Sequence, residues 1–153
     1  MTRALSKDTR LCISLAGRPS NIGTRFHNHL YDELDLDFVY KAFTTADLPA
    51  AIGGVRALGI RGCSVSMPFK EECIPLVDEL DASARAIASV NTVVNDDGHL
   101  TAYNTDYLAV ASLLRGREVP TELAVAVLGS GGMAKAVTAA LRDLGFRDVT
   151  VVA

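Results

Sequence analysis

Ile60-Arg61-Gly62-Cys63-Ser64-Val65-Ser66-Met67-Pro68-Phe69-Lys70-Glu71-Glu72 is the stretch on which the fold turns. Residues 60–67 are apolar and β-branched at the positions expected of a buried strand. Pro68 then stands where a helix would begin, since a proline costs nothing at a first helical position. This predicts a strand-to-helix junction with Lys70 in the first helical turn. Backbone N–H groups at a helix start carry partial positive charge and disfavour an ammonium there. A lysine held in that place and partly desolvated would pass protons near neutral pH. Glu71 and Glu72 act the other way by stabilising the charged form. A surface lysine paired with those glutamates is the plain alternative, and spacing alone does not separate the two.

Outward from this stretch the chain alternates. Residues 11–16 read as a strand and 24–34 as a helix with Phe26, Leu30 and Leu34 on one face. Residues 38–43 form a second strand, and 47–58 a second helix that Asp47 caps and Gly59 ends. Such a βαβαβ run predicts a parallel sheet with helices on its faces. Residues 89–94 and 99–103 flank Asn95-Asp96-Asp97-Gly98, a hairpin signal, and a helix over about 105–114 follows. The polar, turn-rich residues 115–121 mark a boundary. Beyond them lie a strand (123–128), a glycine turn, a helix (133–144), Gly145 as its stop, and a strand (149–152). Met133, Ala136, Val137, Ala140, Leu141 and Leu144 fall at helical spacing, which predicts one buried face.

Composition bounds the function. With 49% hydrophobic and 22% charged residues the chain is globular and soluble. A net charge of −3 and scattered basic residues speak against nucleic acid, which needs a concentrated basic face. Cys12, Cys63 and Cys73 show no metal-ligand spacing and read as buried free thiols in a reducing cytoplasm, with no metal expected. No apolar run approaches a membrane span, so no membrane partner is expected, and residues 1–7 lack a signal-peptide pattern.

Gly129-Ser130-Gly131-Gly132-Met133-Ala134 fits G-x-G-x-x-A between a predicted strand and helix. The first glycine permits the tight turn and the second lets backbone approach a pyrophosphate. Ala134 allows close helix–strand packing, and the helix start supplies N–H donors. Glycine turns between strand and helix are common, so the motif alone is weak. Lys135 could approach a phosphate, although solvent is the usual fate of a single lysine. The acidic residue that reads a ribose would lie roughly 20 residues past the first glycine, but residues 149–153 hold no acid. Asp106 opens a helix after Asn104-Thr105, where an acid is ordinary helix chemistry. Asn91, in Ser89-Val90-Asn91-Thr92, has an amide suited to a polyol or to satisfying backbone at a strand start.

Taken in order, residues 66–71, 89–92, 104–106 and 129–134 resemble four signatures of the shikimate dehydrogenase family, most closely its divergent shikimate dehydrogenase-like subgroup. The resemblance implies an α/β substrate-binding and catalytic domain with a mainly parallel sheet over 1–115. A Rossmann-type NAD(P)-binding domain would begin at 118–153, with only its first βαβ unit present, so the chain reads as the N-terminal part of a longer cytoplasmic enzyme. The implied activity is the NADP-dependent interconversion of shikimate and 3-dehydroshikimate, or a closely related ring hydroxy acid, with NAD not excluded. Lys70 and Asp106 would be the acid–base pair. The family's carboxylate-binding S-x-S is absent from Ala16-Gly17-Arg18-Pro19-Ser20-Asn21-Ile22-Gly23-Thr24-Arg25, which leaves Ser20 and Thr24 as hydroxyls and Arg18 or Arg25 as charges. Ser66 and Asn91 complete the implied substrate contacts. A quinate-type dehydrogenase, or a ligand-sensing module of the same fold without turnover, is the alternative. Oligomeric state is not legible.

Overall fold

Strand and helix alternate over the first 65 residues much as the pattern predicts. The structure, a computed structural model, describes residues 4–153. It runs β1 (Arg10–Leu15), α1 (Asn21–Glu33), β2 (Phe38–Phe43), α2 (Leu48–Ala57), β3 (Gly62–Val65), β4 (Glu79–Leu80), α3 (Ala82–Arg85), β5 (Thr92–Asp96) and β6 (His99–Tyr103). Then follow α4 (Thr105–Gly116), β7 (Val125–Leu128), α5 (Gly132–Asp143) and β8 (Val149–Val152). Strands β1 to β6 form one sheet in the order β2-β1-β3-β5-β6-β4, and β7 pairs with β8 in a second. β1 runs parallel to both β2 and β3, and β4 parallel to β6. The antiparallel part is confined to β3, β5 and β6. Asp97 and Gly98 turn the β5–β6 hairpin with φ of 51° and 93°, the left-handed pair that a two-residue loop demands.

The main core lies between α2 and the sheet. Leu48, Ile52 and Val55 point inward from α2 onto Ile13, Leu15, Cys63, Val65 and Val93. Asp47 caps α2 by accepting from Ala50 N at 2.9 Å. α1 behaves otherwise than expected. It starts at Asn21, with Ser20 as its cap, and none of its residues is fully buried. Phe26 and Leu34 are more than half exposed. The inward face is turned by one position: His27 stacks on Tyr40 at 4.3 Å and Tyr31 meets Phe38 at 5.3 Å. Asn28 sets that rotation. Its amide donates to Tyr40 O and accepts from Tyr40 N, both at 2.9 Å, and so occupies the outer edge of β2. Burial pulls the His27 pKa down.

The expected helix at Pro68 does not form. Residues 67–73 make consecutive turns in which Phe69 N donates to Ser66 O and Cys73 N to Phe69 O, each at 2.9 Å. They run into a short 3-10 turn, Ile74–Leu76. Pro75 explains the failure: it lacks the N–H that would continue an α-helix, and its ring clashes with a preceding carbonyl. The Met67–Pro68 peptide is cis. Helix α4 extends through Gly116, so it covers the first two residues of the expected boundary. Met133, expected on the buried face of α5, is 55% exposed at the open start of the helix, whereas Ala136, Ala139, Ala140 and Leu141 are buried. These alanines let α5 approach Ile87, Ala86 and Tyr107 closely. Cys63 and Cys73 are buried free thiols, and burial pushes them up to about 12 and about 11; Cys12 is only half-buried. Among the described residues no helix is long and apolar enough to cross a membrane, and no acidic, histidine and cysteine groups cluster as metal ligands.

Candidate active site

Lys70 and Asp106 arrive from separate directions. Lys70 sits in the turns after β3, and its backbone is pinned because Lys70 O accepts from Val90 N at 2.8 Å. Asp106 lies in the first turn of α4, where a carboxylate also suits the helix dipole. Their side chains meet at 3.0 Å, each about a quarter exposed. The plain alternative for Lys70, pairing with Glu71 or Glu72, is not what forms. Glu71 instead accepts from Lys135 Nζ at 2.7 Å, and this contact draws the Glu71 carboxyl below its ordinary value. Lys135 is thus half-exposed and paired. Since Pro68 opens no helix, the helix-terminus argument for Lys70 does not apply; its position depends on Val90 and Asp106.

A buried polar network holds the start of α4. Asn104 is 1% exposed and caps the helix by accepting from Tyr107 N at 3.1 Å. Its amide donates to Ser89 O at 2.9 Å, and its own N–H donates to Ser83 Oγ at 3.0 Å. Ser83 in turn donates to Asp81, whose carboxyl is held below its usual range by those contacts. Asn91 braces the same turn from the other side: its Oδ1 accepts from Thr105 N at 2.9 Å. Sequence reasoning quoted Asn104 without giving it work and missed Ser83. The signal was Asp81, a capping residue directly before the four-residue α3 that accepts from Ser83 N.

The glycine turn closes on this region. β7 ends at Leu128, Gly129 takes φ of 101°, and its N–H donates to Val152 O at 2.7 Å. Gly131 is the N-cap of α5, and no side chain caps that helix. A Cβ added at Gly129, Gly131 or Gly132 would meet no atom within 4 Å, so the space over the turn is open. Ser130, Gly131 and Gly132 line a cavity of about 440 Å³ together with Lys70, Pro68 and Lys135. Ala134 is half-buried and packs with the β7–β8 cluster, while Met133 is exposed. An open turn with uncapped helix N–H groups fits a pyrophosphate. The fold therefore brings Lys70, Asp106 and the glycine turn together.

The remaining candidates are more dispersed. Ser66 and Arg18 line a second cavity, of about 410 Å³, which shares Met67 and Pro68 with the first. Ser20 is engaged as the cap of α1, accepting from Ile22 N at 3.4 Å. Thr24 is half-buried within α1, and its carbonyl accepts from Asn28. Neither lines the two cavities.

Residues 21–93 match the shikimate dehydrogenase substrate binding domain. A shikimate dehydrogenase-like protein of Haemophilus influenzae is 60% identical over 149 residues, covering 97% of this chain and 55% of that protein. The chain belongs to the shikimate dehydrogenase family. Within the family it falls with the shikimate dehydrogenase-like branch that this relative represents. A Streptococcus pyogenes shikimate dehydrogenase (NADP(+)) is 40% identical, with 97% of this chain and 53% of that protein covered. The solved shikimate 5-dehydrogenase of Listeria monocytogenes, in complex with shikimate and NAD, superposes with a TM-score of 0.88 at 31% identity over 99% of this chain and 54% of its own. The chain spans about half the length of the curated family members it matches.

Proposed function

We propose that the chain carries the substrate-binding and catalytic domain, residues 1–115, and the first βαβ unit of the dinucleotide-binding domain, residues 118–153, of an NADP-dependent oxidoreductase. Its substrate is shikimate, exchanged with 3-dehydroshikimate, or a closely related ring hydroxy acid. The observation that carries this reading is the Lys70–Asp106 pair, 3.0 Å apart, with Lys70 lining a cavity that the glycine turn also lines. In reduction of the ketone, the Lys70 ammonium donates a proton to the carbonyl oxygen. In oxidation of the alcohol, the neutral amine takes that proton back. Asp106 orients the Lys70 side chain through their 3.0 Å contact. The bound dinucleotide supplies the nicotinamide ring that exchanges hydride with the substrate carbon.

Gly129 to Ala134 hold the pyrophosphate through open backbone and the α5 start. The relative described as NADP(+)-dependent supports NADP, and the Listeria complex keeps NAD in view. Ser66, beside the Lys70 turn, contacts the ring. Asn91 contributes mainly by holding Thr105, while Ser20 and Thr24 line neither cavity. The second substrate reading is a quinate-type ring acid, and the loop at residues 16–25, which lacks S-x-S, favours it. The reading is tested by Lys70→Ala, which should lower kcat for NADP reduction by about 10²–10⁴-fold with a modest change in substrate affinity. Near-normal turnover in that variant would remove Lys70 from the chemistry.

A further inference from the structure

We propose that Lys135 grips the diphosphate of the dinucleotide and that Glu71 competes with the diphosphate for that lysine. This rests on the reading of Gly129 to Ala134 as the diphosphate site, and adds to it one cation and the acid that opposes it. A diphosphate carries two negative charges, whereas backbone N–H groups at a helix start contribute only partial positive charge. A cation beside the glycine turn therefore adds directly to binding. Two cavities meet at Ser130: Lys70 and Lys135 line one, and Arg85, Lys135 and Arg142 line the other. Lys70 is matched by Asp106 at 3.0 Å and belongs to the proton transfer. Arg142 is matched by Asp143 at 2.8 Å, its neighbour in the chain, and Arg85 donates to Leu80 O at 2.8 Å. Lys135 lines both cavities, and its partner comes from a distant part of the chain: Glu71, at 2.7 Å, in the turns that carry Lys70.

The place of Lys135 on its helix calls for an anion from outside. Its N–H donates to Gly131 O at 3.1 Å, which puts it at the end of the first turn of α5. A cation there is opposed by the helix dipole, and α5 has neither an acid in its first turn nor a side-chain cap. Glu71 supplies that negative charge across the cavity. Both side chains are at least half exposed, 51% for Lys135 and 63% for Glu71. Exposed pairs of this kind are worth about fivefold at most in an equilibrium constant. The pair is thus weak enough for a doubly charged ligand on the adjoining turn to exchange, yet present enough to tax that ligand's affinity.

The test titrates the enzyme calorimetrically with NADP and with NAD, alongside Lys135→Gln, Lys135→Arg, Glu71→Gln and the double variant Glu71→Gln with Lys135→Gln. Lys135→Gln should weaken both dinucleotides about 3- to 10-fold, as expected for a half-exposed contact to a charged group, and Lys135→Arg should stay within about twofold of the unmodified enzyme. Glu71→Gln should tighten both about two- to fivefold, because it leaves Lys135 to the diphosphate. In the double variant that gain should vanish. NADP and NAD share the diphosphate and differ in the 2′-phosphate, so each factor should be the same for the two. An effect confined to NADP would overturn the proposal by placing Lys135 at the 2′-phosphate. Unchanged or weaker binding in Glu71→Gln, or a gain that persists without Lys135, would overturn the competition. Unchanged binding in Lys135→Gln would overturn the whole proposal while leaving the glycine turn as the diphosphate site. Failure of the unmodified enzyme to bind either dinucleotide would remove both.

Discussion

Asn104→Ala should cost about 3 kcal/mol of stability, and the sum can be built from contacts. The side chain is 1% exposed and does two jobs. It caps α4 through Tyr107 N, a contact of the kind worth about 1 kcal/mol. It also satisfies Ser89 O, and a buried carbonyl left without its donor costs about 2 kcal/mol. For a chain of this size that total lowers Tm by roughly 6–12 °C. Urea unfolding followed by far-ultraviolet circular dichroism measures it directly. Asn104→Ser is the informative companion: a serine keeps the cap but cannot reach Ser89, so it should recover about 1 kcal/mol. Because Asp106 sits in the same helical turn, Asn104→Ala should also lower kcat while Lys70 is intact. A loss below about 0.5 kcal/mol, or a serine variant no better than alanine, would show that the network does not hold the helix start as argued.

Other expectations follow from single features. Asp106→Asn should reduce kcat, and combining it with Lys70→Ala should lose less than the product of the two separate losses; strictly multiplicative losses would show that the residues act independently. Gly17→Ala forces a Cβ to 3.0 Å from Pro68 Cδ and 3.4 Å from Met67 O, so it should cost about 1–3 kcal/mol in thermal or urea unfolding. Ala88 is held at φ of 49°, a region that strains any residue with a Cβ, and Ala88→Gly should therefore stabilise by about 0.5 kcal/mol once the entropy of the added glycine is deducted. Burial raises the Cys63 thiol to about 12, so the unfolded chain releases its proton first as pH rises. Stability carried by that thiol is complete below about pH 9 and is lost toward pH 12, and Cys63→Ala should flatten this alkaline limb in pH-dependent urea titrations.

Much of the fold was legible because local and tertiary signals agreed. β2, the α2 cap at Asp47 and the β5–β6 turn at Asp97 and Gly98 all lie where pattern and turn chemistry place them. The glycine turn was legible too, since a strand, two glycines and an alanine-rich helix reinforce one another. What misled was a signal read without its neighbour. Pro68 suggests a helix start, but Pro75 forbids the helix from running, and only the pair taken together predicts turns. On α1 the apolar set Phe26, Leu30 and Leu34 suggests one buried face, yet Asn28 binds the edge of β2 and turns another inward. β4 and α3 are too short to produce a period. The meeting of Lys70 with Asp106 was implied by resemblance alone; the spacing of residues 36 apart contains no distance, and the contact exists because β3, β5 and α4 converge.

The Asn28 amide has a consequence for how copies of this protein share a crowded solution. The outer rim of a sheet ordinarily offers a row of unmet donors and acceptors on which a foreign strand can grow. Here both backbone groups of Tyr40, at the middle of the rim strand, are already taken by a side chain from the preceding helix. A neighbour's strand would have to evict that amide before it could zip along β2. The plug thus protects one flank of the six-stranded sheet against lengthening from molecule to molecule, and it does so with a residue that an apolar reading of the helix would have ranked among the least important.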